Sequence, residues 1–200
     1  MEGVDQVRTR PGGRSAQVRE RVFAAVREAL EQGETAALSI DELARRSGIH
    51  RTTIYRRWLS TEGLIADLLI ALTPVETPLP DTGDLRRDLA RVARRVVATL
   101  EAPISKTMLP LIAGTTDPRL AEAAAGYWSS LFAHTAEIVR RAQERGLATR
   151  EVRPIDAVES LLAPIYLRVL VTRQPTSRAF IDNLVTRSAR MLAPGPEEKA

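Results

Sequence analysis

Apolar residues recur at helical spacing along most of the chain. After Ser15, for example, one face stays apolar until Gly33 interrupts it: Val18, Val22, Phe23, Val26, Ala29 and Leu30. Spacings of three and four residues are typical of an amphipathic helix, whereas a half-buried strand alternates apolar and polar positions. Because we find no convincing alternating segment, we predict an all-α fold of about nine helices.

Residues 39–72 predict three short helices joined by tight turns. Ser39, followed three positions later by Glu42, forms a capping box that starts the first of them. Gly48 ends it, where a residue with positive φ is commonly needed. The third helix begins after Ser60 and has a strongly apolar face.

The middle helix, within residues 49–58, is too polar and too basic for a core helix. Ile54 and Trp58, four residues apart, form its apolar stripe. The segment also holds three arginines, two threonines and one tyrosine, with no acidic residue. Arginine pairs with guanine, threonine reaches base edges or a thymine methyl group, and tyrosine hydroxyls bond phosphate.

Two helices joined by a short turn containing glycine form a helix-turn-helix, whose second helix enters the DNA major groove. The pattern therefore predicts DNA binding. The alternative is a helical hairpin whose polar face is merely solvated.

The run LSIDELARRSGIHRTTIYRRWLSTEGLIADLL resembles the DNA-binding domain of the TetR family of bacterial transcription regulators. The match extends over about residues 14–72 and is carried by two short motifs. Residues 53–58 read Thr-Ile-Tyr-Arg-Arg-Trp, and residues 60–64 read Ser-Thr-Glu-Gly-Leu. The family pattern implies an N-terminal three-helix helix-turn-helix domain and a C-terminal helical bundle.

With the side-chain chemistry above, the resemblance implies DNA contacts from Ser39, Arg51, Thr52, Thr53, Tyr55, Arg56 and Thr61. Two positions depart from the family pattern. Thr61 replaces a lysine that usually contacts phosphate, so it offers a hydrogen bond without charge. His50 stands where serine or another small residue is usual.

Residues 73–83 contain three prolines, which predicts a boundary between two bodies because few helices tolerate them. We assign residues 14–73 to the DNA-binding domain and residues 84–193 to a C-terminal domain for ligand binding and dimerisation. Residues 1–13 and 194–200 are expected to be flexible.

Start and stop signals divide the C-terminal domain into helices. We expect a helix capped by Thr82 or Asp84, one over residues 103–113 bent or broken at Pro110, a long one from Asp117-Pro118 to Gly146, one from about Pro154 to Thr172 kinked at Pro164, and a last one capped by Thr176 or Ser177.

The run LLAPIYLRVLVTRQPTSRAFIDNLV is similar to the last two helices of some TetR-like regulators, which pair with their copies in a four-helix dimer interface. Independently, this segment has more apolar surface than one packing face needs. The predicted interface residues are Leu161, Leu162, Ile165, Val169, Phe180, Ile181, Leu184 and Val185. The alternative is a fully intramolecular core.

The resemblance also implies a pocket for a small-molecule effector in the C-terminal domain. Candidate lining residues are Met108, Tyr127, Trp128, Phe132, His134 and Tyr166. Methionine and aromatic residues at helical spacing are also typical of plain core, which remains the alternative.

The composition narrows the class of protein. There are no cysteines, which excludes disulfides and thiolate metal sites and fits a reducing cytoplasm. We recognise neither a secretory signal nor an apolar run of about 18 residues, so a cytoplasmic protein without a membrane partner is expected. The net charge of +4 is only mildly basic and does not by itself indicate nucleic-acid binding.

The sequence thus predicts a dimeric repressor released from a palindromic double-stranded DNA operator by a small-molecule effector of unknown identity, with no cofactor and no metal. An enzyme is the first competing class, but the two histidines and scattered carboxylates form no catalytic motif that we recognise. The other competitor is a helical protein–protein adaptor without DNA binding.

Overall fold

The computed structural model describes residues 11–72 and 78–195. Over these residues every regular element is a helix and nine are α-helices, which confirms the predicted fold class. The helices are α1 (Pro11–Glu31), α2 (Ile40–Ser47), α3 (Arg51–Trp58), α4 (Thr61–Ala71), α5 (Leu85–Glu101), α6 (Pro103–Ala113), α7 (Pro118–Glu144), α8 (Pro154–Tyr166) and α9 (Arg178–Met191). A 3₁₀ turn at Thr35–Leu38 follows α1, and a π-helical turn at Leu167–Val171 continues α8.

The first helix begins earlier than the apolar stripe predicted. It starts at Pro11 rather than Ser15, so residues 11–13 are helical. Proline is tolerated in the first turn, because its missing N–H would have no intrahelical partner there. The predictions for residues 1–10 and 196–200 lie outside the described residues.

Side-chain caps set the predicted starts of several helices. The hydroxyls of Ser39 and Ser60 accept hydrogen bonds from the backbone N–H groups three residues later, at 3.3 and 3.1 Å. Where the sequence left two candidates, Asp84 caps α5 and Ser177 caps α9. Gly48 ends α2 with a φ of 63°, in the left-handed region that a side chain disfavours.

The two internal prolines act differently. Pro110 was expected to bend or break its helix, but α6 continues through it to Ala113. This proline lies on an exposed side, where water can bond the carbonyl that loses its N–H partner. After Pro164 the α-helical pattern gives way to the π-helical turn, in which the N–H of Thr172 donates to the carbonyl of Leu167 at 3.0 Å.

Two apolar clusters form the core. The first gathers α1 to α4 around Phe23 and Trp58, and it continues into α6 and the first turns of α7 through residues such as Met108 and Leu120. The second joins α5 with α7, α8 and α9. The most extensive packing between two helices is that of α4 along α7, so the helix that follows α3 rests directly on the C-terminal bundle.

Pro80 and Asp81, which precede α5, are hydrogen-bonded to arginines at the C-terminal end of α7. The Asp81 carboxylate accepts two hydrogen bonds from the Arg145 guanidinium, at 2.6 and 2.8 Å. Arg141 donates to the Pro80 carbonyl at 3.0 Å. The Arg145 hydrogen bonds lower the pKa of Asp81, so the carboxylate stays charged near neutral pH.

Within residues 11–72 and 78–195, no single helix is long and apolar enough to cross a membrane, and α5 and α6 reach that length only as a pair bent by 82°.

The turn between α3 and α4 stores backbone strain that can be tested. Leu59 has a φ of 63°, and its side chain is 74% exposed. Strain of this kind costs about 1–3 kcal/mol, whereas glycine at such a position adds about 0.4–1 kcal/mol of unfolded-state entropy. We therefore expect Leu59→Gly to raise the free energy of unfolding by about 1 kcal/mol in urea denaturation.

Leu59→Ala is the matched control, because it removes the exposed side chain but keeps the Cβ atom and its strain. It should change the free energy of unfolding by less than about 0.5 kcal/mol. Equal gains in both variants would assign the effect to the lost apolar side chain instead of the backbone.

Candidate nucleic-acid interface and central cavity

Helix α3 divides its residues between the core and the outer surface. Ile54 and Trp58 are completely buried against α1 and α4. Four of the residues predicted to contact DNA lie exposed on the helix: Arg51, Thr52, Tyr55 and Arg56. Tyr55 is 44% exposed although it is a large aromatic residue, and Thr53 is half-buried beside this face. The helix therefore presents charge and hydroxyl groups outward.

The N-terminal end of α3 is held only loosely by its neighbours. His50, at the N-cap position, makes no side-chain cap, and its Nδ1 lies 2.9 Å from the Thr52 hydroxyl. Arg51 forms an ion pair with Asp41 at 3.4 Å, and both side chains are well exposed. Exposed pairs of this kind contribute little, so Arg51 is able to exchange Asp41 for a phosphate.

Ser39 and Thr61 occupy the N-terminal ends of the flanking helices. Ser39 is the exposed N-cap of α2, and Thr61 is the half-buried first residue of α4. Both line one groove between the N-terminal helices and the start of α7. Helix N-termini favour anions, although Glu42 and Glu62 add negative charge to these two ends.

The arginines of α2 are already paired. Glu42 accepts hydrogen bonds from Arg45 and Arg46, and Arg46 also pairs with Glu34. The hydrogen bonds from Arg45 and Arg46 lower the pKa of Glu42 to about 2, so the carboxylate remains charged at any physiological pH. In contrast, Arg56 makes no hydrogen bond or ion pair with any residue that the structure describes.

Arg57 has a structural role that the sequence did not reveal. Its guanidinium donates to the Ser15 hydroxyl at 2.6 Å and to the Ser15 carbonyl at 3.2 Å, and lies 5.1 Å from the centre of the Trp58 ring. These contacts tie α3 to the first turns of α1. Of the three arginines on α3, this one is therefore the least available to DNA.

A hydrogen-bonded relay connects α3 to the C-terminal bundle. The indole N–H of Trp58 donates to one Asp67 oxygen at 2.9 Å, and Arg119 donates to the other at 3.0 Å. These three residues lie on α3, α4 and α7. Gly63 lies beside the relay, because a Cβ atom there would be 2.4 Å from the Trp58 carbonyl oxygen.

A cavity of about 150 Å³ lies between α5, α6, α7 and α8. Five of the six predicted effector-pocket residues line it: Met108, Tyr127, Trp128, His134 and Tyr166. The prediction for Phe132 requires correction, because this ring packs behind the wall, 6.4 Å from the rings of Trp128 and Tyr166, and does not line the cavity.

Comparison with known proteins gives two family matches. Residues 22–68 match the model described as "Bacterial regulatory proteins, tetR family", and residues 79–187 match the "Tetracyclin repressor-like, C-terminal domain". The second match alone spans more than half of the chain. The chain belongs to the TetR family.

Individual TetR-family relatives agree with this. The chain is 28% identical to the HTH-type transcriptional regulator AqdR of Rhodococcus erythropolis over 167 residues, which cover 82% of this chain and 81% of the relative. It is 27% identical to the uncharacterized regulator YdeS of Bacillus subtilis, over 78% and 79% of the two chains.

Solved TetR-family structures share the architecture. The regulator SCO0332 is 33% identical, with a TM-score of 0.72 over 89% of this chain and all of the other. GusR of Salmonella enterica, at 22% identity, shows the same fold with a TM-score of 0.68 over 92% and 97% of the two chains. The protein is thus a DNA-binding transcription regulator and not an enzyme.

The predicted dimer-interface residues of this TetR-family chain require a correction. Six of the eight are at most 5% exposed inside the protomer: Leu161, Leu162, Ile165, Ile181, Leu184 and Val185. They belong to the second core cluster and offer almost no surface to another copy. Val169 and Phe180 are half-buried, and the large exposed apolar side chains nearby are Leu167 and Val171.

The sequence held signals for some of the missed residues. After Glu62 in its first turn, Asp67 is the one carboxylate in the apolar part of α4, and such a residue usually has a partner. A buried tryptophan likewise needs an acceptor for its N–H. Ser105, which lines the cavity, gave no such signal, because Lys106 and Thr107 follow it in the polar first half of α6. Sequence periodicity does not show which of these polar groups form hydrogen bonds with one another.

The relay predicts a graded loss of stability. Asp67→Ala leaves the fully buried Trp58 N–H without an acceptor and should lower the free energy of unfolding by about 2–3 kcal/mol. Asp67→Asn keeps an oxygen for Trp58 but loses the charge facing Arg119, so we expect a loss of about 1 kcal/mol. Urea denaturation measures both, and equal losses would show that the Trp58 hydrogen bond contributes nothing.

Proposed function

We propose that this regulator binds a palindromic DNA operator as a homodimer, and that a small molecule in the central cavity lowers its affinity for DNA. The outward presentation of Arg51, Thr52, Tyr55 and Arg56 on α3 carries the proposal. A protein that represses chromosomal genes in this way works in the bacterial cytoplasm.

In the proposed complex, α3 lies in the major groove and its residues make different kinds of contact with the DNA. Arg51 and Arg56 meet phosphate or guanine, whereas Thr52, Thr53 and Tyr55 offer hydroxyls to base edges and phosphates. Ser39 and Thr61 flank the helix and offer hydroxyls to the backbone. The supporting observation is that Arg56 has no acidic neighbour to satisfy it among the residues described.

The salt dependence of binding tests the role of Arg56. Arg56→Ala should weaken operator binding and reduce the slope of log K against log salt by about 1, because one phosphate contact is lost. Fluorescence anisotropy with the DNA upstream of the protein's own gene, at several salt concentrations, measures both quantities.

Arg91 provides the matched control. It is an exposed arginine on α5, with no hydrogen bond or ion pair to the rest of the described chain. Arg91→Ala should leave affinity and slope unchanged. If the two variants behave alike, α3 does not have the proposed role.

Dimerisation is proposed through the π-helical turn and its surroundings rather than through the buried residues of α8 and α9. Leu167 is 54% exposed and Val171 is 70% exposed, and Val169 and Leu170 between them are half-buried. Burying such side chains against a second copy removes apolar area from water. A two-fold axis here would place two α3 helices on one face of a duplex, where they read half-sites about 34 Å apart in the simplest case.

Charge placed on this turn tests the interface. Leu167→Asp combined with Val171→Asp should raise the dimer dissociation constant by at least about tenfold, because two carboxylates from each copy would be buried without partners. Sedimentation equilibrium measures the change. Leu147→Asp is the control, since Leu147 is 45% exposed in the turn after α7, and an equal effect there would point to general destabilisation.

The relay offers a route from the cavity to DNA. Helix α7 carries Arg119 near its start and the cavity residues Tyr127 and Trp128 two turns later. A ligand that shifts α7 would move Arg119 and, through Asp67, the Trp58 end of α3. A difference of only 1–3 kcal/mol in ligand affinity between two arrangements, a typical coupling, changes DNA affinity by about 5–150-fold.

A further inference from the structure

We propose that the central cavity binds an uncharged molecule built on a single aromatic ring that carries a carbonyl oxygen. Any effect of this ligand on DNA binding rests on the function proposed above, in which the cavity controls DNA affinity. The size, walls, polar groups and charge of the cavity all bear on which molecule fits it.

The volume sets the size of the occupant. A cavity of about 150 Å³ is large enough to admit a benzene ring. Met108 lies in the wall, and its flexible thioether is suited to accommodating a short substituent on that ring. The described arrangement therefore fits one ring with a small side group.

The walls favour an aromatic ring over an aliphatic one. Trp128 meets the rings of Tyr127 and Tyr166 edge to face, with both pairs of ring centres 5.1 Å apart and interplanar angles of 80° and 89°. All three side chains line the cavity. Phe132 packs against Trp128 and Tyr166 from behind and holds the cluster in place. A ligand ring joins such a cluster in the same edge-to-face or offset geometry.

The hydroxyl groups of three lining residues, Ser105, Tyr127 and Tyr166, have no hydrogen-bond partner among the described residues. Ser105 is only 6% exposed, yet its hydroxyl makes no hydrogen bond to any other described residue. The same holds for the hydroxyls of Tyr127 and Tyr166 within residues 11–72 and 78–195. Each of these hydroxyl oxygens remains accessible, so a ligand oxygen that enters the cavity can accept a hydrogen bond from it.

The hydroxyls can donate hydrogen bonds to a ligand oxygen. Burial raises the pKa of Tyr127 and of Tyr166, so both phenols stay protonated near neutral pH. A carbonyl oxygen has two lone pairs and can accept from two of these groups at once.

The charge of the lining favours an uncharged ligand. Among the residues that the structure describes, no aspartate or glutamate lines the cavity, and the two basic members of the lining are Arg95 and His134. A buried ammonium group would have no counter-charge there. Arg95 is exposed and already donates to the Pro78 carbonyl at 3.2 Å, so it gives little reason for an anion to enter the apolar interior.

Four small probes separate these requirements. Acetophenone has the ring and the carbonyl, ethylbenzene lacks the oxygen, cyclohexyl methyl ketone lacks the aromatic ring, and benzylamine is a cation near neutral pH. We expect acetophenone to bind the full-length protein and ethylbenzene and cyclohexyl methyl ketone to bind about tenfold more weakly. Benzylamine should show no measurable binding by isothermal titration calorimetry.

Two variants locate the binding in the cavity. Ser105→Ala and Tyr166→Phe remove unpaired hydroxyls, so they should leave thermal stability unchanged or raise it while weakening acetophenone binding several-fold. Ser129→Ala is the control, because Ser129 is an exposed serine of α7 outside the cavity. A hydroxyl with a purely structural role would show the opposite pattern, with stability lost and binding unchanged.

The outcomes keep the ligand class apart from the regulatory function. Absence of acetophenone binding to folded protein, or equal binding of ethylbenzene or benzylamine, overturns the ligand class even if the protein still shifts its operator. Selective binding that is reduced in Ser105→Ala supports the site. If such binding leaves DNA affinity unchanged, the site stands and the proposed control of DNA binding is overturned.

Discussion

The burial of Trp58 is the constraint on which the N-terminal half depends. Its ring is fully enclosed at the end of the recognition helix and packs 6.2 Å from Phe23 of α1. Enclosing an indole also requires an acceptor for its N–H, and Asp67 supplies it from α4. Because a single side chain contacts α1 and α4 together, the orientation of α3 is fixed by the core and its polar face is directed outward.

Some arginines stabilise the fold through pairing within the chain, whereas others face solvent. Arg46, Arg57 and Arg119 are bound to acidic or carbonyl groups and join neighbouring elements. Arg56 lies one position from Arg57 but on the outer face of α3. Charge counted along the sequence thus overstates the positive surface, and the helical position of each arginine decides whether it stabilises the fold or remains free.

Sequence reasoning succeeded where the information was local. The caps at Ser39 and Ser60, the glycine turn at Gly48 and the apolar stripe of α3 depend on residues within one or two turns, and the structure places them as predicted. The dimer residues were misjudged because periodicity cannot distinguish an apolar face that meets another helix of the same chain from one that meets a second copy. Leu161 and Leu162, for example, are completely buried by the other helices of the bundle.

The cavity was anticipated in its aromatic members but not in its polar ones. Tyr127, Trp128 and Tyr166 are unusual in a chain with 4% aromatic residues, so they were conspicuous. Ser105 and Thr135 are common residue types, and their position in the lining depends on how three helices pack. Whether a hydroxyl finds a partner is decided by this tertiary geometry, which no window of sequence contains.

Helix α7 is anchored at both ends and borders the cavity between them. Near its start Arg119 pairs with Asp67, and at its C-terminal end Arg141 and Arg145 pair with Asp81. A rod of 27 residues is about 40 Å long. Both attachments are ion pairs between partly exposed side chains, so they restrain the helix ends without fixing them. A ligand that displaces the middle of α7 therefore strains both attachments, and the weaker one yields first.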